Sequence, residues 1–159
     1  MSDYHTGTLA YGYHLGTADE HLVKETGKWG SLDLPWMEKD EDGFATETLI
    51  EAFSRRLFEA TPDPEPSRED ASDRENPIWD HFGVKVIEHG WLVEGDSPSY
   101  ALIAHSIEVD GGDAELVNLP GLIKMQSRLS FNEKLEKALE VLGVTPKQAQ
   151  PQWMLLATR

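Results

Sequence analysis

Residues 100–109, YALIAHSIEV, form the longest run of β-branched and large apolar side chains in the sequence. Ser97-Pro98 precedes it and Gly111-Gly112 follows it, so turn chemistry brackets it on both sides. The run reads as a strand. Alternation predicts Ala101, Ile103, Ile107 and Val109 on one face with His105 among them, and Tyr100, Leu102, Ala104, Ser106 and Glu108 on the other. The first face is core and the second is mixed.

Immediately upstream, Val84–Val93 alternates imperfectly and connects through Glu94-Gly95-Asp96-Ser97-Pro98, which predicts an antiparallel hairpin. Ile78, Trp79 and Phe82 are expected to enter the core just before it. Downstream, Asp110-Gly111-Gly112-Asp113 reverses the chain, and Ala114–Leu119 supplies a short further strand before Pro120. The result is a three-stranded meander.

Further out, Thr8–Leu15 places Leu9, Tyr11, Tyr13 and Leu15 on one face and Thr8, Ala10, Gly12 and His14 on the other. That second face is small, which suits close approach of a neighbour. Between Thr46 and Ala60, Leu49, Ile50, Phe53, Leu57 and Phe58 recur at helical spacing, with Thr48 and Glu51 in capping-box positions and Thr46 as an alternative cap. Ser130 and Glu133 repeat the capping box ahead of the stripe Leu135, Ala138, Leu139 and Leu142, and Gly143 marks the end of that helix. Thr145–Gln148 reads as one short helical turn and Gln152–Thr158 as a last strand. Residues 17–43 have no sustained period, and Trp29, Pro35 and Trp36 are expected to pin them to the core. Residues 62–77, PDPEPSREDASDRENP, carry no large apolar side chain and are expected to form a mobile, extended surface loop. The order predicts a single α+β domain at 1–159: an antiparallel sheet of four to five strands with two main helices on one face. It follows the ferredoxin-like β-α-β-β-α-β pattern, with the first and third strands central.

The length of 159 residues suits one domain with a real core. There is no Cys, which removes disulfides, thiolate zinc sites, iron–sulfur clusters and cysteine nucleophiles. The N-terminus MSDYHTGT lacks the basic and apolar regions of a secretion signal, and no apolar run approaches the ~20 residues that span a bilayer. The cytoplasm is the expected compartment. The net charge of −15 argues against direct nucleic-acid binding and against anionic membranes, both of which call for clustered Lys and Arg. It suits a basic protein partner. Residues 38–75 hold 13 acids and 5 bases, but the remainder is acidic too, so the distribution of charge neither indicates nor excludes mimicry of nucleic acid.

No catalytic motif stands out. Gly7, Gly12 and Gly16 do not make GxGxxG, and GxxxxGK[ST], GxSxG and HExxH are absent. The six histidines, His5, His14, His21, His81, His89 and His105, form no i,i+4 pair. His105 on an apolar face reads first as a core histidine needing a hydrogen bond and second as a ligand or acid–base group; His14 reads the same way. Tyr13, His14 and His105 are the candidates for a ligand site on the sheet. Glu38, Asp40, Glu41 and Asp42, in the acidic turn ending at Gly43, are the candidates for partner contact. That turn does not fit a calcium loop, since Glu38 and Leu49 occupy positions one and twelve, and the twelfth calls for a bidentate Glu. No cofactor or metal is implied.

The stretches YGYHLG at 11–16, LPW at 34–36 before the acidic segment, PSYALIA at 98–104, LGV at 142–144 and PQWMLLAT at 151–158 resemble small acidic proteins encoded by actinobacteria and their phages. The resemblance covers most of the chain in outline. It implies a cytoplasmic accessory protein of phage derivation, with no assigned activity and no functional residue to carry over. Three functions follow in order of support: a non-enzymatic interaction protein that binds or inhibits a host protein, a small-ligand or nucleotide-binding domain, and an enzyme of unrecognised type using His105 or His14. A second copy of the chain is the other form of partner to expect.

Overall fold

The run at 100–109 lies beside the first strand at the centre of a four-stranded antiparallel sheet. The structure, a computed structural model, describes residues 6–17, 19–27, 30–62, 71–90 and 97–158, with the side chains of 71–76 and 158 left aside. The elements are β1 (Thr6–Thr17), α1 (Leu49–Glu59), α2 (Ala71–Phe82), β2 (Lys85–His89), β3 (Ser99–Val109), α3 (Leu119–Arg128), α4 (Phe131–Leu142) and β4 (Gln152–Thr158). The sheet order is β2-β3-β1-β4 with every neighbour antiparallel. Residues 94–96 of the predicted turn lie outside the described residues; the expected α+β class, the antiparallel pairing of β2 with β3 and the central first and third strands all stand.

The helix count does not. The described residues form four helices where two main helices were expected, and the causes are local. Asn118 caps α3, its Oδ1 accepting the Gly121 N–H at 3.1 Å, and Pro120 occupies the first turn where its missing N–H costs nothing. Pro120 therefore starts a helix where it was expected to stop a strand, and Ala114–Leu119 forms none. Residues 71–77, expected in the extended loop, belong to α2, whose Ile78 and Phe82 anchor it in the core; residues 63–70 lie outside the described residues. Trp79 stays 38% exposed, under the Lys85 ammonium at 5.7 Å. The predicted strand Val84–Val93 ends at His89, and residues 91–93 lie outside the described residues.

The Thr48–Glu51 capping box forms as read, with the Thr48 N–H donating to Glu51 at 2.8 Å. The Ser130 box does not. Only Leu129 and Ser130 separate α3 from α4, and Ser130 takes a left-handed φ of 53° to turn the chain, so its hydroxyl caps nothing. Gly143 closes α4 at φ 65° as predicted. Thr145–Gln148 is irregular rather than a helical turn: Gln148 instead spans β1, accepting the His14 N–H and donating to the Gly12 carbonyl, both at 3.1 Å. In the long connection after β1, Val23, Leu32, Leu34 and Met37 are buried and Trp36 donates to the Leu142 carbonyl at 2.9 Å. Pro35 is exposed, and Trp29 lies outside the described residues.

The main core fills one face of the sheet, where Tyr11, Tyr13, Leu15, Val86, Tyr100 and Leu102 meet α1, α2 and α4. The small-residue face predicted for β1 finds a different neighbour. Ala10, Ala101, Ile103 and Leu156, with Ile87 and Met154, form a second core drawn from all four strands. Strands β2 and β4 are at opposite edges of the sheet, yet the Gly90 N–H donates to the Ala157 carbonyl at 2.9 Å. The sheet coils until two of its corners touch, and this concave face buries its alanines against its own backbone.

A β-bulge corrects the predicted alternation. Tyr11 pairs with His105 and Gly12 with Ile103, which leaves Ala104 as an extra residue in β3. Tyr100, Leu102, Ala104, His105, Ile107 and Val109 consequently share the helix side, while Ala101, Ile103, Ser106 and Glu108 face the concave side.

Candidate functional site

The bulge brings three aromatic rings into one row across the sheet. Trp153 of β4, Tyr11 of β1 and His105 of β3 are ladder neighbours. The Tyr11 and Trp153 centroids are 5.2 Å apart, and His105 meets Trp153 edge-on at 6.1 Å. Phe131, the first residue of α4, stacks on His105 at 5.5 Å and 15° between planes. The Tyr11 hydroxyl donates to Asn132 Oδ1 at 2.8 Å and accepts from Gln126 Nε2 at 2.6 Å, tying α3 and α4 to the row.

Burial lowers the His105 pKa below the ordinary imidazole value, so the ring is neutral at pH 7. Burial, and then Tyr13, raises that of the Tyr11 phenol. Trp153 Nε1 is buried with no hydrogen-bond partner among the described residues. The imidazole lies against the Phe131 and Trp153 rings, and no carboxylate is hydrogen-bonded to it among the described residues. Among the described residues no group of three or more His, Cys, Asp or Glu is placed to hold a metal.

The helix-packed core ends at this row, and the apolar side chains do not. Leu9, Ile107, Val109 and Leu155 continue the same face, and Val117 from the β3–α3 connection forms the far wall of a groove of about 320 Å³. Leu155 is 85% exposed and Leu116 96%. Leu119 and Ile123 on α3 are exposed as well. Glu115 lines the groove, and Asp110 and Asp113 occupy the turn that follows β3. One sequence signal for this site was the apolar content of residues 116–119 in a polar chain, within the stretch Ala114–Leu119 read above as a strand.

The predicted site residues do not converge. Tyr13 is in the main core; His105 faces the helices; His14 faces the concave side, its ring 5.3 Å from that of His89. In the acidic turn, Asp40 Oδ1 accepts the N–H groups of Asp42 and Phe44 at 3.0 and 2.8 Å and so shapes its own loop. Glu38, Glu41 and Asp42 are exposed. A second cavity, about 280 Å³, lies at the start of α1 among His21, Leu32, Met37, Phe44, Leu49 and Tyr100. Glu47 lines it, with no Lys or Arg among the described lining residues.

His89 yields a pH prediction. It is 8% exposed, its Nε2 has no partner among the described residues, and burial followed by the nearby His14 lowers its pKa from 6.5 to about 4. Between those values the unfolded chain binds more protons than the folded one, so stability falls as pH drops from 6.5 to 4. The expected loss is about 3 kcal/mol at the lower end. Urea midpoints across this range should fall in the wild type and fall less steeply in His89→Gln, where His14, His21 and His105, also lowered by burial, still contribute; parallel profiles would contradict the assignment.

No protein-family model matches the chain, and no curated protein or solved structure matches it either.

Proposed function

We propose that the chain is a non-enzymatic interaction protein that binds a basic protein of the host cell and inhibits it by occupying its surface. This agrees with the phage-derived accessory role that the sequence resemblance implies. One observation carries the proposal: an apolar groove left open beside Leu155, with an acidic wall, on a chain of charge −15. Contiguous exposed apolar surface marks interaction sites, and long-range negative charge steers a basic partner toward it. The aromatic row beneath stiffens the groove floor. Nothing in this arrangement calls for nucleic acid, a membrane or a cofactor.

The test compares affinity capture from host lysate by the wild type and by Leu116→Asp/Leu155→Asp. Both positions are exposed, so the double variant keeps the fold. The wild type should retain a partner that high salt releases, and the variant should retain about tenfold less of it. Identical retention by the two proteins would exclude the groove as the binding surface.

A further inference from the structure

The mode of binding can be read from the edge of β4, and this inference rests on the interaction function proposed above. The Ala157 carbonyl points away from β1, since it accepts from Gly90. Backbone groups along an antiparallel strand alternate in direction, so Trp153 and Leu155 also aim their N–H and C=O groups outward. No described residue bonds to those outward groups, and the 85% exposure of Leu155 shows that the edge is open there. Edge strands are normally blunted by charge. The opposite edge, β2, carries Lys85 and Glu88, whereas QWMLLAT in β4 has no charged residue at all.

We propose that an extended segment of the partner adds antiparallel to β4 as a fifth strand along Trp153 to Leu155, stopping short of Ala157, whose outward carbonyl Gly90 already holds. An apolar side chain opposite Leu155 packs on the helix side, and flanking Lys or Arg meets Glu115, Asp113 and Asp110. None of these three acids is paired with a described base, and Glu115 stands on the groove wall beside Leu155. The same charge disfavours a second copy, which would bring acid against acid. Main-chain bonds supply affinity in this mode, and alternate side chains supply specificity.

Pair geometry makes the proposal sharp. Leu155 bonds outward, so the residue opposite it both donates to and accepts from Leu155, and its side chain shares the helix side. The probe is the capped peptide Lys-Lys-Val-Thr-Val-Thr-Val-Lys-Lys, in which Val takes the apolar positions. N-methylation of its Val residues removes the donors that face β4 and should weaken binding by about tenfold or more. N-methylation of its Thr residues touches only donors that face solvent, and binding should stay within about twofold of the parent. The parent should also slow amide exchange at Trp153 and Leu155, and lose affinity in salt.

Equal binding by both methylated peptides, or no binding by the parent, would overturn strand addition. So would a dimer of the protein alone that Leu155→Lys dissociates, which would make a second copy the occupant. If capture by the wild type still depends on Leu116 and Leu155 after such a result, the interaction function survives and only the strand mode falls.

Discussion

Gly12→Ala is expected to destabilise the protein by on the order of 4 kcal/mol or more, through overpacking and backbone strain. A Cβ built on Gly12 would lie 1.9 Å from the Leu102 carbonyl oxygen and 2.8 Å from the Ile103 Cα. Both atoms are backbone of β3, so no rotamer change relieves the contact. The two central strands would have to part at the bulge, where Gly12 pairs with Ile103 and its carbonyl accepts from Gln148. Against a typical stability of about 5–15 kcal/mol, this loss takes a large share. A thermal melt followed by circular dichroism should show the midpoint about 10 °C lower. A midpoint within about 2 °C of the wild type would mean that the strands are spaced differently here.

Phe131→Ala should cost about 3–5 kcal/mol, the usual loss for an aromatic deleted from a core. Phe131 is 2% exposed, stacks on His105 and meets Tyr11 at 5.9 Å. Its removal opens a cavity where the first turn of α4 meets the sheet. A second readout separates this packing role from a general loss of stability. Burial holds the His105 pKa down, so admitting water should let it rise toward the ordinary imidazole value. Titration of the His105 ring by NMR in the folded variant should show that rise, whereas an unmoved pKa would mean that other groups shield it.

Local patterning made most of the sheet and two of the helices legible. Alternation located β1 and predicted the antiparallel pairing of β2 with β3, and β4 begins and ends at the predicted residues. Thr48 and Gly143 cap as their types dictate. What failed did so where one residue serves two meanings. Pro120 both stops strands and opens helices, and only the Asn118 cap decides between them. Ser130 has the composition of a cap, but a two-residue link to α3 demands its left-handed backbone. The groove was illegible for a different reason: it exists because the helix-packed core stops at the Tyr11 row while the apolar strands continue, and where packing stops is decided by tertiary structure. The pairing of His14 with His89 likewise depends on ladder register, which no single stretch contains.

The bulge at Ala104 divides β3 into halves that serve different surfaces. Before it, every second residue feeds one of the two cores; after it, the phase is inverted, and Ile107 and Val109 line the groove while Ser106 and Glu108 turn to the concave side. Loss of the Ala104 codon would close the bulge and leave those sets in place, since His105 would then follow Ile103 in plain alternation, whereas one codon gained just after His105 would exchange them. A hydroxyl and a carboxylate would replace two aliphatic side chains in one genetic event, with no substitution at any surface position. The identity of the side chains that line the groove is thus stored in strand phase as much as in residue choice.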